Sequence, residues 1–584
     1  FAISQIKNLV IPDSQINLDK TSGIEVIANG KSYCGEDFDV TNITIKDNVI
    51  TLDLRSKNLT ALPLGLTIEL TADSSNALAI NMNARNLEKA PLSADIRFPV
   101  LKNLVIDQYE DTWYFFPQYR NVLGSTPVFC KQANHRGFLM QFFDIFNPQT
   151  GSGITLQTRN LEQNPVVYAL SKSSQGVNAY IEERGYDNII PGNQSLALIP
   201  RVLAIHGGDW RTAANIYQKW VKSWYKPLNS QDKPFFRKAV WMRAHIVSPK
   251  ISSSINQTPP LYDSASEKYR IEEVLKLDKE YLGVDPDIFH FFVWAYKPNQ
   301  EYKNYAQRDG EYSTQDYNNI GGLESFRSAI ELLQNKHHLP VSLYTICDRY
   351  NTDTEFYKKY GDSFARTTST GKKIVTATTI FTSTAFAAWR EYFASTIKRL
   401  QADTGAKVIY IDLLATSDGA KSYSPNQGLP VPSQVAKSDT KFLKAVREGV
   451  PDTALWGEFP IPDVGSQYWD GFISYDFSPL NEYVATTYDG LEVAPKYGAL
   501  PANLFRFLFT GLRQFGFPCG EIDAWRSLKF LLFNGQGIDE ITWRLYYPET
   551  RKNLSRMLTI QKTYSDCFSS NIPEMWVPVL RANV

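Results

Sequence analysis

From Lys238 onward, short apolar runs alternate with helical segments, and this alternation constrains the fold more than any other feature of the chain. Strands separated by helices lie parallel in one sheet, because each helix returns the chain to the end of the sheet where the next strand begins. The runs cover residues 239–244, 288–294, 340–345, 407–412, 454–458 and 471–475. Two further strands are expected after Pro501. A region of about 350 residues built this way fits a closed (β/α)8 barrel of the TIM type. No glycine-rich phosphate loop follows any run, which argues against a nucleotide-binding open sheet.

The N-terminal third has a different texture. Gly23 to Ala28 reads as a strand entering Asn29-Gly30, a strong hairpin signal, and residues 49–54, 66–70 and 77–82 alternate or nearly alternate between apolar and polar. Many strands with few amphipathic helices predict an antiparallel β-sandwich. At Asp209 the pattern turns helical: Trp210, Ala213, Ala214, Tyr217 and Trp220 recur at helical spacing behind an N-cap residue. The expected organisation is a sandwich over residues 1–208, a linker helix over 209–236 and a barrel over 237–584. Ordinary packing suffices to explain the helix.

Lys plus Arg and Asp plus Glu both number 61, without long runs of one sign, so the basic footprint of a nucleic-acid binder is missing. No stretch approaches the length of an apolar membrane span. Aromatic residues make up 13% of the chain, which suits both β-rich cores and the C–H faces of sugars. The five cysteines are scattered and the six histidines show no ligand spacing, so neither metal nor cofactor is expected. The chain opens on Phe1, which fits a processed start and a periplasmic or secreted location. Five glycosylation tripeptides are close to chance in a chain this rich in Asn, Ser and Thr, and oligomeric state leaves no mark on the sequence.

In a parallel barrel, chemistry sits where strands end, so acids terminating apolar runs are the groups to test. Asp412 ends the fourth run and Glu458 the fifth. Neighbouring strands lie about 4.8 Å apart, close enough for two carboxyls to face one sugar. Glycoside hydrolysis needs such a pair, one carboxylate at the anomeric carbon and one acid at the leaving oxygen. Helix capping or pairing with arginine explains a single strand-end acid equally well; the pair is more specific. Asp348, Asp418 and Asp476 compete, with Asp476 the main alternative acid/base. Arg243, His245 and His290 are candidates for binding substrate hydroxyls or a carboxylate. Trp294, Tyr296, Tyr344 and Tyr350 are candidate stacking platforms, and Trp456 is a candidate apolar neighbour of Glu458. Core packing is the alternative for each. No nucleophile elbow of the G-x-S-x-G form follows a strand, which disfavours a serine hydrolase.

The β-rich N-terminal region, the Trp210…Tyr217…Trp220 helix, and a barrel carrying Tyr410-Ile411-Asp412 and Gly457-Glu458 together resemble barrel glycosidases with an N-terminal β-supersandwich, related to the endo-α-N-acetylgalactosaminidase group. That resemblance implies a retaining α-glycosidase with Asp412 as nucleophile, Glu458 as acid/base, a carbohydrate substrate and no metal in the chemistry. Related barrels place the acid/base one strand later, which selects Asp476 and leaves Glu458 a binding role. A non-catalytic carbohydrate-binding barrel and a transglycosylase are the alternatives in function.

Overall fold

The computed structural model describes residues 3, 6–72, 77–117, 122–133, 140–226, 233–248, 259–297, 306–307, 310–312, 314–414, 422–427, 435–458, 461–474, 504–509, 511–516, 532, 535–539 and 548–565. Among these, the N-terminal strands form two antiparallel sheets of eight and ten strands. The first is organised around the long strand Asp95–Ile106, the second around Ser152–Thr158, Arg201–Gly207 and Ala77–Asn86. Period-2 patterning explains the packing: in Leu64–Ala72, the side chains Leu64, Leu66 and Ile68 enter the inter-sheet core while their neighbours stay partly exposed. The Asn29-Gly30 hairpin is present. Ala28 pairs with Lys31, and φ values of 51° and 73° at the two turn residues are the left-handed pair that such a tight turn demands.

Helix α1 (Trp210–Trp224) starts where Asp209 accepts the backbone N–H of Arg211 at 3.0 Å. Its apolar face is shared. Trp210 stacks on Phe115 and Tyr217 on Phe142, both from the outer face of the ten-stranded sheet, while Gln218 donates to the carbonyl of Phe507 at 2.7 Å and Trp224 meets Phe509 on the barrel side. Phe142–Asn147 is therefore buried on both faces, and its sequence shows no alternation for that reason.

Eight parallel strands close the barrel: β1 (Trp241–Ile246), β2 (Ile288–Phe292), β3 (Val341–Ile346), β4 (Val408–Asp412), β5 (Ala454–Gly457), β6 (Gly471–Ser474), β7 (Arg513–Gly516) and β8 (Gly537–Asp539), with β8 pairing back to β1. The sandwich-then-barrel architecture expected from the sequence is thus the one observed. Helices α2 (Ile271–Leu282), α3 (Gly322–Glu331), α4 (Ala387–Thr404) and α5 (Val435–Gly449) stand between the first five strands, and α6 (Pro548–Thr563) follows β8. The β5–β6 connection differs. Among its described residues the only helix is the short 3-10 stretch Asp463–Tyr468, and there the sandwich and α1 pack against the barrel. No helix among the described residues is long and apolar enough to cross a membrane.

Candidate active site

Strand register decides which side chains meet. His290 lies opposite Ser342, Tyr344 opposite Tyr410, Tyr410 opposite Trp456, and Ile346 opposite Asp412. Alternation then sends Val408, Tyr410 and Asp412 of β4 into the lumen and Ile409 and Ile411 toward the helices. Ring contacts across the barrel agree: Tyr410 lies 4.5 Å from Trp456, His290 lies 5.3 Å from Tyr410 and 5.4 Å from Trp456, and Trp456 lies 5.5 Å from Phe515.

These rings form a floor. The Trp456 indole N–H donates to the Ser342 hydroxyl at 3.0 Å, and that hydroxyl is 2.9 Å from His290 Nδ1. Burial pushes His290 down to about 3, so the imidazole is neutral and serves as a packed polar element. Trp456 is wholly buried at this level, which makes it support for the site and not a surface for sugar stacking.

Above the floor, Tyr344 packs edge-on against Phe292 and stacks on Tyr410. Both tyrosine hydroxyls turn to Asp412: Tyr344 donates to Oδ2, and Tyr410 to Oδ1 at 3.1 Å. Asp412 also shares a side-chain hydrogen bond with Glu458, the residue that follows β5. The two carboxyls that end neighbouring strands therefore meet. A hydrogen bond between carboxyls requires a proton on one of them, so the pair holds one acid and one carboxylate. Burial raises the Asp412 carboxyl above its ordinary value; the bonds from Tyr344, Glu458 and Tyr410 oppose this, and the charge of Asp348 adds to it. The two phenolic O–H groups favour the ionised form of Asp412, whereas its burial disfavours it.

Local backbone places the pair. Leu413 leaves β4 with φ 59°, which turns the chain sharply just past Asp412. A Cβ on Gly457 would stand 2.1 Å from the Trp469 ring and 2.7 Å from the Ile411 carbonyl, so glycine is what permits Trp469 to pack beside the start of the Glu458 segment. Asp348, just past β3, is buried with Arg349 Nε at 2.7 Å and Arg366 at 4.0 Å, and it sits close enough for its charge to act on Asp412.

Several residues expected to bind substrate lie elsewhere. Arg243 points out of the barrel and ion-pairs with Asp278 of α2 at 2.8 Å, both groups buried; it holds a helix to a strand. His245 is on the same outward face, with Nε2 3.1 Å from the Pro259 carbonyl, and burial with the Arg243 charge pushes it down to about 3. Trp294 is wholly buried, stacked with Tyr317 and Phe326, its N–H on the Tyr344 carbonyl at 3.0 Å. Tyr350 is likewise core, with its hydroxyl on the Gly361 carbonyl at 2.9 Å. Tyr296 is on the short strand Tyr296–Lys297, paired with Ala306–Gln307, and its side chain lies outside what the structure describes. Asp418 and Asp476 lie outside the described residues. Ser342 and the hydroxyl role of Tyr410 were missing from the expected site; polar residues two and four positions before Asp412 and Ile346 on the lumen face were the signal for them. Among the described residues, no three His, Cys, Asp or Glu side chains gather as a metal site.

A family described as a domain of unknown function, DUF6259, matches residues 199–433. No curated protein matches by sequence. The structure of the α-N-acetylgalactosaminidase NagBb from Bifidobacterium bifidum in its GalNAc complex superposes with a TM-score of 0.65 at 10% identity, over 96% of this chain and 93% of that one. The GH36 α-galactosidase AgaB from Geobacillus stearothermophilus gives 0.55 at 8% identity, over 96% of this chain and 76% of that one. The chain has a glycoside-hydrolase-like fold. The likeness at these identities is one of fold.

Proposed function

We propose that the chain is a retaining α-glycosidase in which Asp412 is the nucleophile and Glu458 the acid/base. The hydrogen bond between these two carboxyls at the mouth of the barrel carries the reading. Retention needs carboxyls about 5–5.5 Å apart and inversion about 6.5–9.5 Å; the Asp412–Glu458 contact is shorter than both and nearer to the former. In the first step Asp412 attacks the anomeric carbon, the glycosidic C–O bond breaks, and the Glu458 proton passes to the departing oxygen. In the second step Glu458 takes a proton from water as its oxygen attacks the same carbon and Asp412 leaves. The Tyr344 and Tyr410 hydroxyls hold the Asp412 carboxylate in position and keep it ionised beside a protonated neighbour.

Because the similar structures are named for α-N-acetylgalactosaminidase and α-galactosidase, an α-linked galactose-type sugar at the end of a polysaccharide or glycoconjugate is the substrate class to try first. Release of such sugars outside the cytoplasm, and a division into sandwich, linker helix and barrel at residues 208 and 236, belong to the same reading. The test is Asp412→Ala and Glu458→Ala on a panel of aryl α-glycosides. Turnover of any substrate cleaved by the unaltered protein should fall about 10²–10⁴-fold in each. Azide should rescue both, giving an inverted glycosyl azide from the first variant and a retained one from the second. If Asp476→Asn instead gives the azide-rescued, retained product, the acid/base role moves to Asp476. Glycan binding without turnover in the unaltered protein would replace the enzyme by a binding protein.

A further inference from the structure

Five residues past Glu458 stands a second buried carboxylate, Asp463, at the point where the β5–β6 connection meets the rest of the molecule. Gln141 Nε2 donates to both of its oxygens at 3.0 Å, Gln163 Nε2 to Oδ1 at 3.1 Å, the Tyr217 hydroxyl to Oδ2, and the Val464 backbone N–H to Oδ1 at 2.8 Å. Three of these donors are foreign to the barrel. Gln141 and Gln163 belong to the sandwich and Tyr217 to α1. Gln141 is itself fixed, with its backbone N–H on the Tyr217 hydroxyl at 3.1 Å and its side-chain Oε1 accepting from the Thr158 hydroxyl and the Asn160 N–H.

The connection is held at its far end as well. Asp470, just before β6, accepts from Arg447 of α5 and from the Leu455 backbone N–H at 2.7 Å, with Lys233 at 3.6 Å. Glu458 thus begins a segment whose two other fixed points are acids gripped by groups from outside it. A fully buried carboxylate is expensive, and an apolar cluster of the same volume would commonly be as stable or more so. What such a network supplies beyond stability is a single position for the chain that carries it.

We infer that the sandwich and α1 set the position of Glu458 through Asp463, so that Asp463, Gln141, Gln163 and Tyr217 form a positioning group for proton donation to the leaving oxygen. This rests on the reading of Glu458 as acid/base. Five residues span at most about 18 Å, so the anchor and the carboxyl are coupled by a short tether. Displacing a reacting group by about 1 Å is enough to cost about 10²-fold in rate. With no α-helix among the described residues of this connection, the sandwich does for Glu458 what packing of a crossover helix does for the ends of the first four strands.

The experiment uses the full chain with Tyr217→Phe, Gln163→Ala and Asp463→Asn, and with Glu182→Gln as a control, since Glu182 is a buried acid of the eight-stranded sheet paired with Arg97 at 2.7 Å, and its charged partners Arg97, Lys131 and Arg184 take no part in this junction. Two readouts are taken: amide hydrogen exchange over residues 454–470, and kcat and KM on aryl α-glycosides with good and poor leaving groups. The three junction variants should exchange faster over 454–470. They should lose about tenfold or more in kcat on the poor leaving group, which needs the proton, and less than about twofold on the good one, with KM unchanged. Glu182→Gln should lower the melting temperature and alter neither. Equal loss on both substrates, loss that tracks melting temperature across all four variants, or unchanged exchange over 454–470 overturns the inference. Should Asp463→Asn fail to fold, the Tyr217→Phe and Gln163→Ala results decide. If Glu458→Ala keeps full turnover of the poor leaving group, the acid/base reading itself has failed; if it does not and the junction variants behave as the control does, only the positioning role falls.

Discussion

Strands β1 and β4 both carry polar side chains among buried residues near the mouth of the barrel, yet only β4 contributes to the site. In β1, Arg243 and His245 face the helices, where Arg243 holds Asp278 and His245 the Pro259 carbonyl. In β4, Tyr410 and Asp412 face the lumen, where Asp412 meets Tyr344 and Glu458. One residue of register separates a group that fastens a helix from one that meets a second carboxyl at the lumen. Proximity to a strand end identifies candidates; the face of the strand selects among them.

That contrast yields unequal consequences for mutation, the largest at the outward face. Arg243→Ala leaves the Asp278 carboxyl buried without its partner and should cost about 3–5 kcal/mol of stability, with KM and kcat of the surviving folded protein unchanged. Chemical unfolding and steady-state kinetics on the same preparation check this, and a raised KM at undiminished stability would return Arg243 to the substrate. Tyr344→Phe should do the opposite. It removes a charge-assisted bond to Asp412, worth about 1.5–3 kcal/mol, so kcat/KM should fall about ten- to a hundredfold while the melting temperature moves little. Tyr410→Phe, whose bond to Asp412 is 3.1 Å long, should follow with a smaller fall, and an order reversed between the two tyrosines would mean that Oδ1 matters more than Oδ2.

The same contrast explains what the sequence disclosed. That Asp412 and Glu458 would meet was legible because each ends an apolar run on neighbouring strands; either acid alone has structural uses, and the pair was the signal. The outward turn of Arg243 was not legible, since every residue of Trp241–Ile246 is buried and no alternation marks the two faces. Strands β7 and β8 escaped individual recognition for a related reason. Arg513 opens β7 as a buried cation satisfied by the carbonyls of Ala239 and Gly535, and Gly537–Asp539 is three residues long, so neither reads as an apolar strand. Asp463 left no local signal at all: its side-chain partners lie 246 to 322 residues away, a relation that only the folded chain creates.

A last contrast compares two buried aspartates. Asp412 receives bonds from Tyr344, Glu458 and Tyr410, whereas Asp439 of α5 has the Thr384 hydroxyl at 2.6 Å. Burial pushes Asp439 up to about 7 from an ordinary 3.8, with the Thr384 bond opposing. The folded protein therefore keeps this proton through a range in which the unfolded chain has released it. Its contribution to stability is complete below about pH 4 and is lost as pH rises through about 7, at no more than about 1.4 kcal/mol per pH unit. Asp439→Asn has no proton to lose, so its melting temperature should decline less than that of the unaltered protein between about pH 5 and pH 8. Buried groups common to both proteins, Asp412 and Asp463 among them, cancel in that difference. Parallel profiles would mean that Asp439 is ionised when folded, and one hydroxyl would then suffice to hold a buried carboxylate where Asp412 has three partners.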